Sequence, residues 1–205
     1  MTIKLPEVCT VIGVRAFWWC SSLSEIILPQ GLKRIEGDAF TSCSSLTSLN
    51  IPNSVNYIAR DALEHLPLDT LVLPESYVAD IIGRLKSTVT TIVWNSVSYP
   101  SDYAYDGDEV RGLGAYEYFG GSYSLHNGSI STIIIGKNVE LLPKYFCSYM
   151  KNMTIYSKNL EPPYLVSNAF YNCTFKYIYV PQASVDKYKT AWSSFADKIV
   201  GYDFE

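Results

Sequence analysis

Few residues in this chain have side chains capable of chemistry, and their spacing decides how they read. Five cysteines and two histidines occur among 205 residues. Cys20 and Cys43 stand 23 residues apart, each followed by Ser-Ser-Leu, and Cys20, Cys43 and Cys173 each lie three residues after the Phe of an Ala-Phe pair. A redox pair or a metal site would require these thiols to converge. Thiols at equivalent positions of stacked units point in parallel, which is poor disulfide geometry. They read as a ladder of small buried hydrophobes. Cys9 aligns with Leu32 and Val55 and reads as core, whereas Cys147 is out of register and is the cysteine expected at the surface. His65 occupies a position equivalent to Ser42, and His126 adjoins Asn127-Gly128 at a turn. Nothing orients a Cys147–His126 dyad, so nucleophilic catalysis has no support there. No His-x-x-x-His, Cys-x-x-Cys, Gly-x-Ser-x-Gly or phosphate-binding glycine motif is present. Asp106-Gly107-Asp108-Glu109 lacks the spacing of a calcium loop. No cofactor and no metal is expected. The Asn-x-Ser/Thr triplets at Asn127, Asn152 and Asn172 read as chance.

The elements that place these residues follow from one repeated pattern. Ile12-Gly13-Val14-Arg15-Ala16-Phe17, then Leu23, then Ile26-Ile27-Leu28-Pro29, recurs 23 residues later as Ile35 to Phe40, Leu46 and Leu49 to Pro52. A fixed period of this size implies stacked units that share one core. The short apolar-x-apolar segment recurs at Ile3-Leu5, Ile26-Leu28, Leu49-Ile51, Leu71-Leu73, Ile92-Trp94, Ile133-Ile135, Met153-Ile155 and Ile178-Val180. Eight short parallel strands are therefore expected, and the long step from Ile92 to Ile133 marks an insertion. Pro29, Pro52, Pro74 and Pro181 end their strands because proline donates no ladder hydrogen bond.

Ala39-Phe40, Cys43, Leu46, Leu49, Ile51 and Pro52 resemble, position for position, the BspA-type leucine-rich repeat of bacterial surface proteins. Ala16-Phe17-Cys20 and Ala169-Phe170-Cys173 match the same pattern, and Ala62-Leu63 with Leu66 is a degenerate copy. Tyr179 to Pro181, Val185, Tyr188, Trp192, Phe195 and Ile199-Val200 are similar to the terminal cap of that family. The expected architecture is a single leucine-rich-repeat solenoid of about eight coils over 1–205. Its parallel strands stack in one sheet, irregular or short helical segments form the other side, an insertion spans 98–125, and a cap spans 182–205. Ser184 is expected to N-cap a short helix, with Trp192 and Phe195 closing the core. The first strand falls mid-repeat, which suggests further repeats or domains upstream.

Two surfaces remain as candidate sites. The insertion holds Tyr103, Tyr105, Tyr116 and Tyr118, and its five acids against one arginine carry the whole formal net charge of −4. Tyrosines supply rigid amphipathic contact area, and solenoid insertions emerge as loops. The other reading of this segment is a self-packed loop covering a degenerate coil. The second surface is the outward side of the sheet, because strand side chains alternate. One row is expected to read Ile27, Asn50, Val72, Val93, Ile134, Thr154 and Tyr179. The next is expected to read Glu25, Ser48, Thr70, Thr91, Thr132, Asn152 and Tyr177. Of these, Ile27, Asn50, Val72, Val93, Ile134, Tyr177 and Tyr179 are the candidate contacts. The outer row carries no lysine or arginine and is no anion site. Exposed apolar stripes mark interaction sites, although β-propensity alone also favours such residues.

Composition narrows the function. With pI about 5.2 and no basic stripe, nucleic acid is not an expected partner. No apolar run reaches the roughly 18 residues of a membrane span, and no signal peptide opens the chain. The resemblance implies a cell-surface or secreted bacterial protein that binds macromolecules. The favoured reading is a non-enzymatic binding or adhesion module for an extracellular protein or glycan. A structural spacer within a longer surface protein is the alternative. An enzyme with a site near His126 ranks third.

Overall fold

A computed structural model of the protein describes residues 1–59, 61–74, 89–95, 111–113, 130–142, 144–148 and 150–204. Every strand pairing among them is parallel. The chain winds as a parallel β-solenoid with little helix. Its main side is a six-stranded sheet of β6 (Thr70–Leu73), β7 (Thr91–Trp94), β9 (Thr132–Ile135), β12 (Met153–Ser157), β15 (Phe175–Pro181) and β16 (Ile199–Tyr202), adjacent in that order. Upstream, β1 (Thr2–Lys4) pairs with β3 (Glu25–Ile27) as a separate ladder. A second side holds β2 (Val11–Ile12), β4 (Arg34–Ile35) and β5 (Tyr57–Ile58), and later β10 (Leu141–Leu142) with β13 (Tyr164–Leu165). A third ladder joins β8 (Arg111–Leu113), β11 (Lys144–Ser148) and β14 (Phe170–Tyr171).

The period-2 pattern explains the core. Leu71, Ile92, Ile133, Ile155 and Ile178 are in register on neighbouring strands and have no exposed surface. Ile92 and Ile133, far apart in the sequence, pair directly on neighbouring strands. The single sheet expected from the pattern is interrupted at one coil. Leu49 and Ile51 are buried as anticipated, but residues 47–52 join no ladder. Their outward neighbours, Ser48 and Asn50, fit a pleated strand less well than Thr91 and Val93 do.

The corners between sides also repeat. Arg15, Asp38 and Asn168, and then Trp19, Ser42, His65 and Asn172, have left-handed backbone with φ between 52° and 63°. The equivalence of His65 and Ser42 therefore holds in the backbone itself. These turns point backbone N–H groups at the next coil: Phe17 donates to the Ala39 carbonyl at 2.8 Å, Trp19 to Thr41 at 3.0 Å and Phe40 to Ala62 at 2.9 Å. Phe17 and Phe40 stack inside with centroids 5.3 Å apart.

The C-terminal cap comprises α1 (Val185–Ala191) between two 3-10 turns. Trp192 and Tyr188 are buried, Phe195 packs against the core, and the Trp192 indole donates to the Pro163 carbonyl at 2.9 Å. Ser184 does stand at the helix N-cap, but its hydroxyl makes no cap bond. It donates instead to the Leu160 carbonyl at 2.7 Å, tying the cap to the preceding coil. The last segment also adds β16 to the sheet, with Ile199 against Ile178.

Candidate functional site: the outward face of the sheet

On β12, β15 and β16 the buried residues Ile155, Ser157, Ile178, Val180 and Ile199 force the intervening positions outward. The register then reads Ile134, Tyr156, Tyr179, Val200 across four strands, with Thr132, Thr154 and Tyr177 in the row beside it. This corrects the expected rows. Alignment of Met153 with Ile133 had put Thr154 and Asn152 in these places; the structure pairs Ile133 with Ile155, moving every β12 residue by two. Tyr156 thereby enters the site. The signal lay in the period: Ile155 is 22 residues after Ile133 and 23 before Ile178, the spacing of the N-terminal copies.

The result is a continuous aromatic cluster. Tyr156 and Tyr179 stack with centroids 4.9 Å apart and planes 19° from parallel. Tyr202, one outward step further along β16, meets Tyr156 at 5.6 Å and 77° and Tyr179 at 5.5 Å and 60°. Tyr177 lies 5.6 Å from Tyr179, and Phe204 lies 4.9 Å from Tyr202. Tyr177 and Tyr202 are exposed, 41% and 44% respectively, while Tyr156 and Tyr179 are half-buried by their neighbours. Partial burial, helped by the adjacent Tyr179 and Tyr202 phenols, raises the Tyr156 phenol above its ordinary value. Tyr202 and Phe204 had not been singled out from the sequence, because β16 was not recognised as a strand.

From this cluster both rows continue across the sheet without a charged side chain. One runs through Thr154, Thr132, Thr91 and Thr70, the other through Ile134, Val93 and Val72. Val72 is exposed, and Val93 and Ile134 are half-buried. Ile27 (45% exposed) and Asn50 are also on the surface, but neither belongs to the six-stranded sheet. The expectation of no lysine in the row fails at its start. Lys4 pairs with Ile27, and Glu25 sits beside Thr2, accepting its hydroxyl at 2.9 Å. The neutral surface therefore begins at β6.

The other candidates are distributed differently. Cys147 is not at the surface: it is fully buried and paired with Phe170, so it occupies the inward aromatic slot of its coil while Phe146 fills the volume beside it. Burial pushes its thiol well above the usual range. Cys43 is buried and donates to the Phe17 carbonyl at 2.9 Å; Cys9, Cys20 and Cys173 are half-buried, and all five thiols are free. His65 is solvent-exposed, 3.7 Å from Glu64. His126, Tyr103, Tyr105, Tyr116, Tyr118 and the Asp106–Glu109 run lie outside the described residues. Within the insertion only Arg111–Leu113 is described, where the backbone pairs with β11. Among the described residues no group of His, Cys, Asp and Glu is arranged to hold a metal ion, and no helix is long and apolar enough to cross a membrane.

A second exposed aromatic patch went unnoticed in the sequence. Trp18 and Trp19 are 48% and 64% exposed at the first corner, edge to face at 5.9 Å. The Arg15 guanidinium lies 5.5 Å from the Trp18 ring and pairs with Asp38 at 3.0 Å. The legible signal was an adjacent tryptophan pair where the next coil has Thr41-Ser42.

The repeat seen in these coils is matched by a family model for the BspA type leucine rich repeat region, in six copies over residues 1–82 and 119–197. Among curated proteins none matches the chain. Among solved structures, the chain is similar to a leucine-rich repeat protein from Bacteroides ovatus, with 19% identity and a TM-score of 0.40 over 87% of this chain and 55% of that one. It is also similar to a leucine rich cell surface protein from Faecalibacterium prausnitzii, with 15% identity and a TM-score of 0.36 over 96% of this chain and 70% of that one. The chain thus spans about half the length of the Bacteroides ovatus protein. Matched over more than half of its residues by that model, the chain belongs to the BspA-type leucine-rich repeat family.

Proposed function

We propose that this chain is a non-enzymatic binding module of a cell-surface or secreted protein, and that it recognises an extracellular macromolecule, a protein or a glycan, through the outward face of the six-stranded sheet. The observation that carries this reading is the solvent-facing cluster of Tyr156, Tyr177, Tyr179, Tyr202 and Phe204. A face serving only as a spacer gains nothing from large rings left in solvent. Rings that hold each other in place offer contact area with little entropy left to lose on binding. The first rows of the sheet, at Val72, Val93 and Ile134, extend the same surface, and Ile27 and Asn50 would flank it. Tyr103, Tyr105, Tyr116 and Tyr118 of the insertion form a second proposed contact set.

The test is binding of the intact domain to a panel of extracellular-matrix proteins and glycans, alongside two variants. One carries Tyr156→Ala and Tyr179→Ala; the other replaces residues 100–124 with a short Gly-Ser turn. Loss with the first variant places recognition on the sheet, and loss with the second places it in the insertion. An intact domain that binds nothing on the panel favours the structural spacer.

A further inference from the structure

The tyrosine cluster and the threonine row beside it together specify a ligand chemistry, and the inference rests on the proposed binding role of this same face. Three features decide it. First, the two rows are neutral along the sheet: from β6 to β15 neither contains an acidic or basic residue. Charge stands only beside them, where the exposed Lys176 ammonium lies 5.9 Å from the Tyr177 ring and Asp69 accepts the Thr70 hydroxyl at 3.4 Å. A polyion laid along the rows would leave most of its charges desolvated and unpaired, which is costly. Second, the face is amphipathic at the scale of single groups. Tyr156, Tyr177, Tyr179 and Tyr202 supply ring carbon and hydroxyls, and Thr154, Thr132, Thr91 and Thr70 supply hydroxyls at each successive strand. Each of these hydroxyls both donates and accepts. Third, the rings stand in two orientations. The Tyr156–Tyr179 stack has its planes 19° apart, and Tyr202 crosses them at 77° and 60°. One ligand can therefore meet an aromatic face, whose quadrupole attracts polarised C–H groups, and a hydroxyl-bearing ring edge together.

The molecule that offers apolar C–H faces, a dense fringe of hydroxyls and no charge is a neutral sugar chain. The row continues in register over five strands, a track of roughly 20 Å at a strand spacing of about 4.8 Å. A track this long fits several linked sugars rather than one. We propose that the Tyr156/Tyr177/Tyr179/Tyr202 cluster and the Thr70–Thr154 row bind a neutral oligosaccharide or polysaccharide laid across the strands.

The experiment is calorimetric titration of the full chain with neutral hexasaccharides of glucose, mannose, galactose and xylose, with polygalacturonate and heparin fragments as anionic probes. The expected result is binding of at least one neutral hexasaccharide, unchanged between about 50 and 500 mM NaCl because no ion pair is made. Tyr156→Ala, Tyr179→Ala and Tyr202→Ala each weaken it about tenfold. Tyr164→Ala, on β13 and exposed at 68%, leaves it unchanged. Circular dichroism confirms that each variant folds. Binding confined to the anionic probes, or neutral-sugar binding indifferent to all three cluster variants, overturns the assignment. If no sugar binds while a matrix protein does, and Tyr156→Ala with Tyr179→Ala abolishes that contact, the glycan assignment fails and the binding role of the face survives. If nothing binds, both fail.

Discussion

At the scale of single residues, the least expected feature is an indole held in left-handed backbone. Trp19 has φ 58° and lies 64% in solvent. An L residue in that region is penalised by contact between its Cβ and backbone, and exposure returns little burial energy. Asn172 fills the equivalent corner at φ 52° with a side chain better suited to it. Trp19→Asn is therefore expected to stabilise the domain by about 1 kcal/mol, read as a raised urea midpoint with unchanged slope. An unchanged or lowered midpoint would show that the Trp18–Trp19 contact outweighs the strain. The thiols give a second residue-level prediction. Cys147 and Cys43 are buried and desolvated into their protonated forms. Alkylation of the native protein should reach Cys9, Cys20 and Cys173 first and reach Cys147 only on unfolding, as peptide mass mapping would show. Rapid native labelling of Cys147 would place it at the surface, as the repeat register alone had suggested.

Elements are held by rows rather than by individual contacts. Ile133 lies between Ile92 and Ile155 in one fully buried row. Truncation there removes packing for both neighbours, so Ile133→Ala is expected to cost about 2–5 kcal/mol. The equivalent change at outward-facing Val72 should stay within about 0.5 kcal/mol. Chemical denaturation of both variants measures the contrast, and equal losses would contradict the burial pattern. Where β9 ends, a Cβ on Gly136 would come within 2.2 Å of the Asn95 side-chain oxygen. The Asn95 amide donates to the Leu73 carbonyl at 3.4 Å. Gly136→Ala should displace that side chain and lower stability by about 1 kcal/mol, and Asn95→Ala in the same chain should relieve the clash.

For the whole molecule, α1 and the residues after it pack against the core. Tyr188 is the buried residue of α1, sharing a 2.8 Å hydrogen bond with Ser157 and donating to the Asn159 carbonyl at 3.1 Å. Desolvation raises its phenol far above the ordinary value of 10.0. The native state therefore holds this proton after the unfolded chain has released its own. Stability from Tyr188 is complete below about pH 10 and declines as pH rises beyond that value. Alkaline unfolding monitored by tyrosinate absorbance should show this decline. Tyr188→Phe should flatten it while lowering stability at neutral pH through the unpaired Ser157 hydroxyl. A Tyr188→Phe chain with the same alkaline slope as the parent would assign the transition to another group.

Much of this was legible in the chain because a solenoid is written in local code. The 23-residue spacing of Ala16 and Ala39, and of Pro29 and Pro52, determines which side chains share a coil position. Alternation determines that Leu71, Ile92 and Ile133 turn inward and that Val72, Val93 and Ile134 turn outward. Trp192 and Phe195 were likewise recognisable as the closing residues. Tertiary structure decided what depends on register and on neighbours. It placed Tyr156 rather than Thr154 beside Tyr179, because Ile155, not the equally buried Met153, pairs with Ile133. It buried Cys147, because the slot opposite Phe170 must be filled. It sent the Ser184 hydroxyl to the Leu160 carbonyl, because an acceptor in the preceding coil competes for a donor that the helix start could also use. It recruited Tyr202, because Ile199–Tyr202 pairs with β15 as one more strand of the sheet. Spacing along a chain determines which residues are equivalent; which of them touch is settled only when the coils stack and each row packs against the next.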